Sequence, residues 1–220
     1  MILKKLLLIL TLLLIPSITL AGELTGNLNL LYGYKHMDEG DWDPVEDQTE
    51  FGVSLDFKKP NWPVSIALEI LYSDEKAHVS DWVIPDIGTF PTYVDVDINE
   101  YALGIRKNIS LQHNINVFFG GGVTIIRVRV GYENIFFAGG PGGRSSSSVT
   151  DQDVEPNFNE LLGDDDSTFG FWVSAGLYVT LAEHYNIGIQ TRWSKADVTL
   201  FDEDADAGGL HGLLFVGYHW

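Results

Sequence analysis

The sequence predicts an all-β fold: an eight-stranded antiparallel up-and-down β-barrel that crosses a membrane with its strands. Three observations carry this. Polarity alternates with period two through eight separate segments, the connections between them alternate in length, and no run after residue 21 is apolar enough for a helical span.

The N-terminus is set apart first. Met1 to Lys5 is a short basic stretch, Leu6 to Ile15 is apolar apart from Thr11, Pro16 breaks the run, and Thr19-Leu20-Ala21 offers small residues for cleavage. This layout is that of a secretory signal peptide, so residues 1–21 are expected to be removed and 22–220 to form the barrel domain. The leader holds Lys4 and Lys5 and no acid, so its loss takes the formal charge from −18 to −20. So acidic a chain excludes a nucleic-acid binder, whose footprint is basic. The absence of cysteine excludes disulfides, thiolate metal sites and a cysteine nucleophile.

The first strand sets Leu24, Leu28, Leu30, Tyr32 and Tyr34 against Thr25, Asn27, Asn29 and Gly33. The second sets Phe51, Val53, Leu55 and Phe57 against Gly52, Ser54 and Asp56, and the third Val64, Ile66, Leu68, Ile70 and Tyr72 against Ser65, Ala67 and Glu69. Tyr101, Leu103 and Ile105 mark the fourth, and Ile115, Val117, Phe119, Val123 and Ile125 the fifth. Phe169 to Leu181, Tyr185 to Trp193 and Leu210 to Trp220 complete the set. Lys58–Pro63, Lys107–Asn114 and Ala182–His184 are short connections. Lys35–Glu50, Ser73–Asn99, Gly131–Ser167 and Phe201–Gly209 are longer and acidic, with short turns expected on the periplasmic side and long loops outside. The two central long connections are expected to begin and end as strand extensions. Phase slips near Ile98–Tyr101 and Ile126–Val130 suggest bulges at the rim. Gly139 to Ser148 is low-complexity.

Alternation also fits a soluble barrel with its apolar face inward, and three features decide the orientation. The minor face is rich in Gly, Ala, Ser, Thr and Asn, too weakly charged for a soluble exterior. Aromatics gather at both ends of the apolar face, as they do at two headgroup layers. The chain reaches Trp220 within a strand, with Tyr218, Val216 and Leu214 on the same face. That pattern resembles the C-terminal insertion signal of bacterial outer-membrane barrels, and along nearly its whole mature length the chain resembles the small OmpA/OmpX-type barrel group. The resemblance implies an outer-membrane location, surrounding lipid or lipopolysaccharide, a barrel-assembly machinery that reads Tyr218 and Trp220, and a monomer.

An eight-stranded barrel is just wide enough for its side chains to fill. Bulky Leu71, Phe118, Trp172, Tyr178, Leu213 and Phe215 are expected inside, with Asp56, Glu69, Glu100, Arg106 and Arg192. Charges in such an interior must pair, which predicts an ion network centred on Glu69, Arg106 and Arg192. His211 and His219 share that face as hydrogen-bond formers, too far apart to chelate one ion. A sealed lumen moves function to the acidic loops, as a surface-contact protein. A narrow solute or ion conduit is the alternative, and a lipid A-modifying hydrolase the third reading.

Asp202, Asp204 and Asp206, followed by Gly208, have the alternate spacing that can wrap Ca²⁺, although Leu213 stands where an EF-hand loop has its glutamate. Beyond that ion no cofactor is expected. His78 and Ser80 have the spacing of a base and nucleophile in lipid A deacylating barrels, but Val79, Asp81 and Trp82 depart from that family's surroundings and no orienting acid is evident. The expectation is therefore a protein without enzymatic activity.

Overall fold

A computed structural model describes residues 24–84, 88–112, 114–134 and 163–220. The leader, the low-complexity stretch and the acids Asp151, Asp153 and Glu155 lie outside the described residues. The strands are β1 (Thr25–His36), β2 (Asp47–Lys58), β3 (Ser65–Ile84), β4 (Gly88–Ser110), β5 (Ile115–Asn134), β6 (Gly163–Leu181), β7 (Tyr185–Lys195), β8 (Asp197–Leu200), β9 (Glu203–Asp206) and β10 (Gly209–His219). One short helix, α1 (Glu39–Trp42), follows β1.

Eight strands close in the order β1-β10-β7-β6-β5-β4-β3-β2, every pairing antiparallel, while β8 and β9 form a separate hairpin. Closure leaves no edge within the apolar band, which a bilayer requires because it offers no water to unpaired amides. At the seam Asn27 pairs with His219, and the Gly26 and Trp220 backbones exchange two hydrogen bonds of 3.1 Å. The Trp220 indole lies so close over Gly26 that a Cβ there would sit 2.6 Å from the ring. Tyr218 stands outward, stacked on His184 at 5.4 Å. Positions 218 and 220 thus close the cylinder as well as ending the last strand.

The exposed face is apolar. Leu103, Ile105, Val123, Val173, Ile187, Ile189, Leu214 and Val216 face out, and Phe169 is the extreme at 79% exposed. Water would not tolerate so continuous a patch, whereas acyl chains do. The small residues of the other face make room for large ones. A Cβ at Gly104 would meet the Trp172 indole at 2.8 Å, and one at Gly176 would meet the Phe118 ring at 2.3 Å.

The central strands run well past the membrane, and the ladder between β4 and β5 is unbroken through Ile98↔Val128 and Tyr101↔Ile125. The expected rim bulges are therefore absent from those positions; the shift between β3 and β4 falls instead between His78 and Ser80. The phase slip has another cause. Below the rim β5 points Val117, Phe119, Val123 and Ile125 outward; above it, Arg127 and Arg129 point outward while Ile126, Val128 and Val130 turn in. β4 mirrors this, with Tyr101, Leu103 and Ile105 out below, and Ile98, Val96 and Val94 in above. The backbone keeps its period while the solvent changes from lipid to water, so the greasy face changes sides. Each aliphatic side chain buried this way contributes about 1.5–3 kcal/mol.

Candidate functional site: the filled lumen and its outer cap

β10 passes through every layer of the interior, from Ala207 just before it to His211, Leu213, Phe215 and His219. At the short-turn end lies a polar mouth. Asn27 donates to Asp56 at 3.0 Å, Asn186 donates to Asn27 at 2.8 Å, and His219 lies 3.0 Å from the same Asn27 oxygen. Above it Leu31, Leu71, Phe118, Tyr178, Leu213 and Phe215 form one buried cluster, with Phe118, Tyr178 and Phe215 mutually 6.2–6.3 Å apart. The Arg106 guanidinium lies 4.3 Å over the Phe118 ring, a cation–π contact joining this layer to the ionic one.

The ionic layer brings the three predicted residues together and adds others. Arg106 bridges Glu69 and, at 3.3 Å, Asp56. Arg192 reaches Glu69 at 3.5 Å and Glu100 at 2.8 Å, and stacks 5.3 Å over Trp172. Glu100 also accepts from Lys35 at 2.8 Å, and Lys35 donates further to the Ala207 carbonyl at 2.8 Å. Every side chain in these pairs is at most 2% exposed. Buried charge at this density persists only when partners replace the lost hydration, and here each cation has them.

Lys35 and Glu50 fall in a segment whose composition predicts a loop. Each continues an inward face already visible: Lys35 follows Asn27, Asn29, Leu31 and Gly33 by steps of two, and Glu50 precedes Gly52, Ser54 and Asp56. One more step of alternation places both inside.

His211 lies 2.8 Å from Glu50 through Nδ1 and 3.0 Å from the Ser194 hydroxyl through Nε2. The order Ser194, His211, Glu50 is that of a nucleophile, a base and an orienting acid. All three are at most 1% exposed, and Ser194 also donates to Glu100 at 3.4 Å. None of the main cavities formed by the described residues is lined by Ser194, so the arrangement holds the wall together and meets no substrate. Glu50, Glu100 and His211 also converge closely enough to suggest metal ligands, but the Lys35 ammonium already sits 2.8 Å from Glu100.

Above the ionic layer the interior is apolar. Val94, Val96, Ile98, Ile126, Val128 and Val130 form its wall; Met37, Trp42 and Val45 around α1, with Val198, Leu200 and Ala207 of the hairpin region, cover it. The acidic residues build this cap. Asp38 caps α1 by accepting from the Gly40 amide at 2.8 Å. Asp164 and Asp166 accept from the Phe201 and Thr199 amides at 2.7 and 2.8 Å, fastening β8 to β6, while Asp165 pairs outward with Arg127 at 2.7 Å.

The three aspartates with calcium-like spacing are placed by the same hairpin. Phe201 and Asp202 are its two turn residues, both at positive φ (51° and 66°), a two-residue turn in which aspartate is tolerated. Asp204 accepts from the Thr199 hydroxyl at 2.9 Å. Asp206 accepts from Lys195 at 3.1 Å and from the Ala196 and Gly208 amides at 3.2 and 2.9 Å. Partial burial raises the Asp206 pKa, but the Gly208 amide, Lys195 and the Ala196 amide outweigh it and hold the carboxyl below the ordinary value. Among the described residues, these three are not a convergent ligand group.

His78 packs edge-on against Tyr93 at 5.6 Å. Val79 is the extra residue of the β3 bulge, so positions 78 and 80 pair with the consecutive residues Tyr93 and Thr92. Their two-residue spacing is therefore not two steps of one unbroken ladder, as the hydrolase reading required.

The family model for the outer membrane protein beta-barrel domain matches residues 7–212. No curated protein matches the sequence. Among solved structures, the chain is similar to Ail, the attachment invasion locus protein of Yersinia pestis, at 12% identity over 90% of this chain and 99% of that one, TM-score 0.49. It is likewise similar to the outer membrane protein OprG from Pseudomonas aeruginosa, at 10% identity over 90% and 94%, TM-score 0.47. Neisserial surface protein A gives 10% identity over 89% and 95%, TM-score 0.46.

Proposed function

The chain belongs to the outer membrane protein beta-barrel domain family, and from that premise we propose that it is a sealed, non-enzymatic outer-membrane anchor that displays a capped β-structure at the cell surface for contact with partners. The observation that carries this reading is the filled interior: a polar mouth, an aromatic cluster, a paired ionic layer and an apolar cap succeed one another along the axis. An ion crossing it would have to part Arg192 from Glu100 and then enter a layer of valines, each step a desolvation costing several kcal/mol.

A catalytic role lacks an accessible nucleophile in this reading. The buried Ser194 cannot be approached, and the bulge separates positions 78 and 80. The apolar outer band seats the body in lipid, and the polar end above the rim makes the contacts.

Single-channel recording on the protein in planar bilayers tests the proposal. The expected record is a flat baseline; stable, discrete conductance steps would replace the anchor with the narrow-conduit reading.

A further inference from the structure

Between the cap and the extended sheet lies a cavity of about 270 Å³. Its floor and walls are aliphatic: Val94 and Val96 from β4, Val130 from β5, Val45 after α1, and Leu200 from β8. Its mouth is of opposite character. Asp41, Asp43, Glu203 and Asp204 stand around it, all exposed, and no Lys, Arg or His lines it. Tyr132 and Phe201, both partly solvent-exposed, lie at the same opening with ring centroids 6.0 Å apart.

These features select one class of guest. A bare divalent cation is a poor fit, because it wants six to eight oxygens and the floor offers only methyl groups. Two of the four carboxylates are also partly committed: Asp41 accepts from the Asp206 amide at 2.9 Å, and Asp204 from Thr199 at 2.9 Å. A neutral apolar molecule would satisfy the floor and leave the acidic ring unanswered. Anions are repelled at the mouth. A molecule with an apolar body and one cationic head satisfies both, since carboxylates and aromatic faces each attract an alkylated ammonium. The volume equals about nine waters at ~30 Å³ each, which limits the guest to a small molecule.

We propose that this cavity binds a small organic cation with an apolar body, an aryl- or alkylammonium, its head at the Asp41–Asp43–Glu203–Asp204 mouth and its body on the valine floor. The inference deepens the surface-contact reading by naming a ligand class, and it does not depend on whether the lumen conducts.

The test uses the mature protein in lipid nanodiscs, with empty nanodiscs subtracted. Benzyltrimethylammonium, benzyl alcohol and benzenesulfonate are compared by saturation-transfer NMR and calorimetry. Saturable binding of the ammonium alone is expected, weakening as salt is raised. Asp43→Asn with Glu203→Gln is expected to weaken it at least ~10-fold, the equivalent of ~1.4 kcal/mol. Val79→Arg, at an exposed position on the cavity edge, places a competing cation at the mouth and is expected to abolish it. Heat-dependent gel mobility verifies that each variant is folded. The proposal is overturned by equal binding of all three probes, by no saturable ammonium binding, or by wild-type affinity in both variants. A failure here leaves the flat bilayer record intact, and discrete conductance leaves this binding result intact, so the two readings fail separately.

Discussion

Replacing Glu100 by glutamine removes one negative charge at nearly constant shape from the most connected carboxylate in the lumen. Glu100 accepts from Lys35 and Arg192, both at 2.8 Å, and from Ser194 at 3.4 Å. In Glu100→Gln, Lys35 keeps the neutral Ala207 carbonyl at 2.8 Å, and Arg192 keeps Glu69 at 3.5 Å. Removing one partner of a buried pair costs about 3–5 kcal/mol, because the remaining charge has no water to return to. The internal control is Arg127–Asp165, similar in length at 2.7 Å but with side chains 52% and 50% exposed. Asp165→Asn is expected to cost only ~0.2–1 kcal/mol. Reversible urea unfolding in lipid vesicles, scored by heat-dependent gel mobility, measures both. The double variant Lys35→Met/Glu100→Gln should recover part of the loss, since it removes the stranded ammonium with its partner. If Glu100→Gln falls within about 1 kcal/mol of Asp165→Asn, water reaches the ionic layer, contrary to the energetic argument for a sealed barrel.

Two further outcomes follow from the cap and the rim. Asp206 has its pKa depressed, so its contribution is present above the ordinary carboxylate value of 3.8 and is lost as pH falls through the lower folded value. The Gly208 and Ala196 amide resonances should therefore shift with a common midpoint below 3.8, and Asp206→Asn should abolish that titration. The chain has no native cysteine, so single spin labels can be placed along β5; accessibility at 123 and 125 should favour oxygen, and at 127 and 129 a water-soluble nickel chelate. Oxygen preference persisting to 129 would put lipid against Arg129 and contradict a rim lying just above Ile125.

The eight-stranded barrel was legible because alternation is a local signal and each membrane strand repeats it many times. The lumen trio Glu69, Arg106 and Arg192 was legible for the same reason, since each sits mid-strand on the minor face. Lys35 and Glu50 were not, because they stand where β1 and β2 leave the apolar band, and acidic, turn-rich sequence there reads as loop. The aspartates at 164, 166, 204 and 206 read in sequence as a contact or cation surface. Their use depends on tertiary placement: they accept backbone amides and side-chain donors supplied by other segments, which no spacing rule encodes. The hairpin at 197–206 was hidden because its two strands have four residues each, and the turn places Phe201 and Asp202, rather than the usual glycine, at positive φ.

The supposed bulges at 98–101 and 126–130 hold the more general lesson. A lapse in alternation has two physical causes, an inserted residue or a change in what lies outside the wall. An inserted residue would shift the pairing register, and β4 and β5 pair without a shift from Thr92↔Asn134 to Ser110↔Asn116. The second cause predicts that the outward residues become charged where the inward ones become apolar, on neighbouring strands at one height. Asp97 pairs with Arg129 outward while Ile98 pairs with Val128 inward, one step above Tyr101↔Ile125 and Glu100↔Ile126. The rim of the bilayer is thus written in the chain as the point where the two faces exchange chemistry, and the cap can have an apolar core because it stands in water.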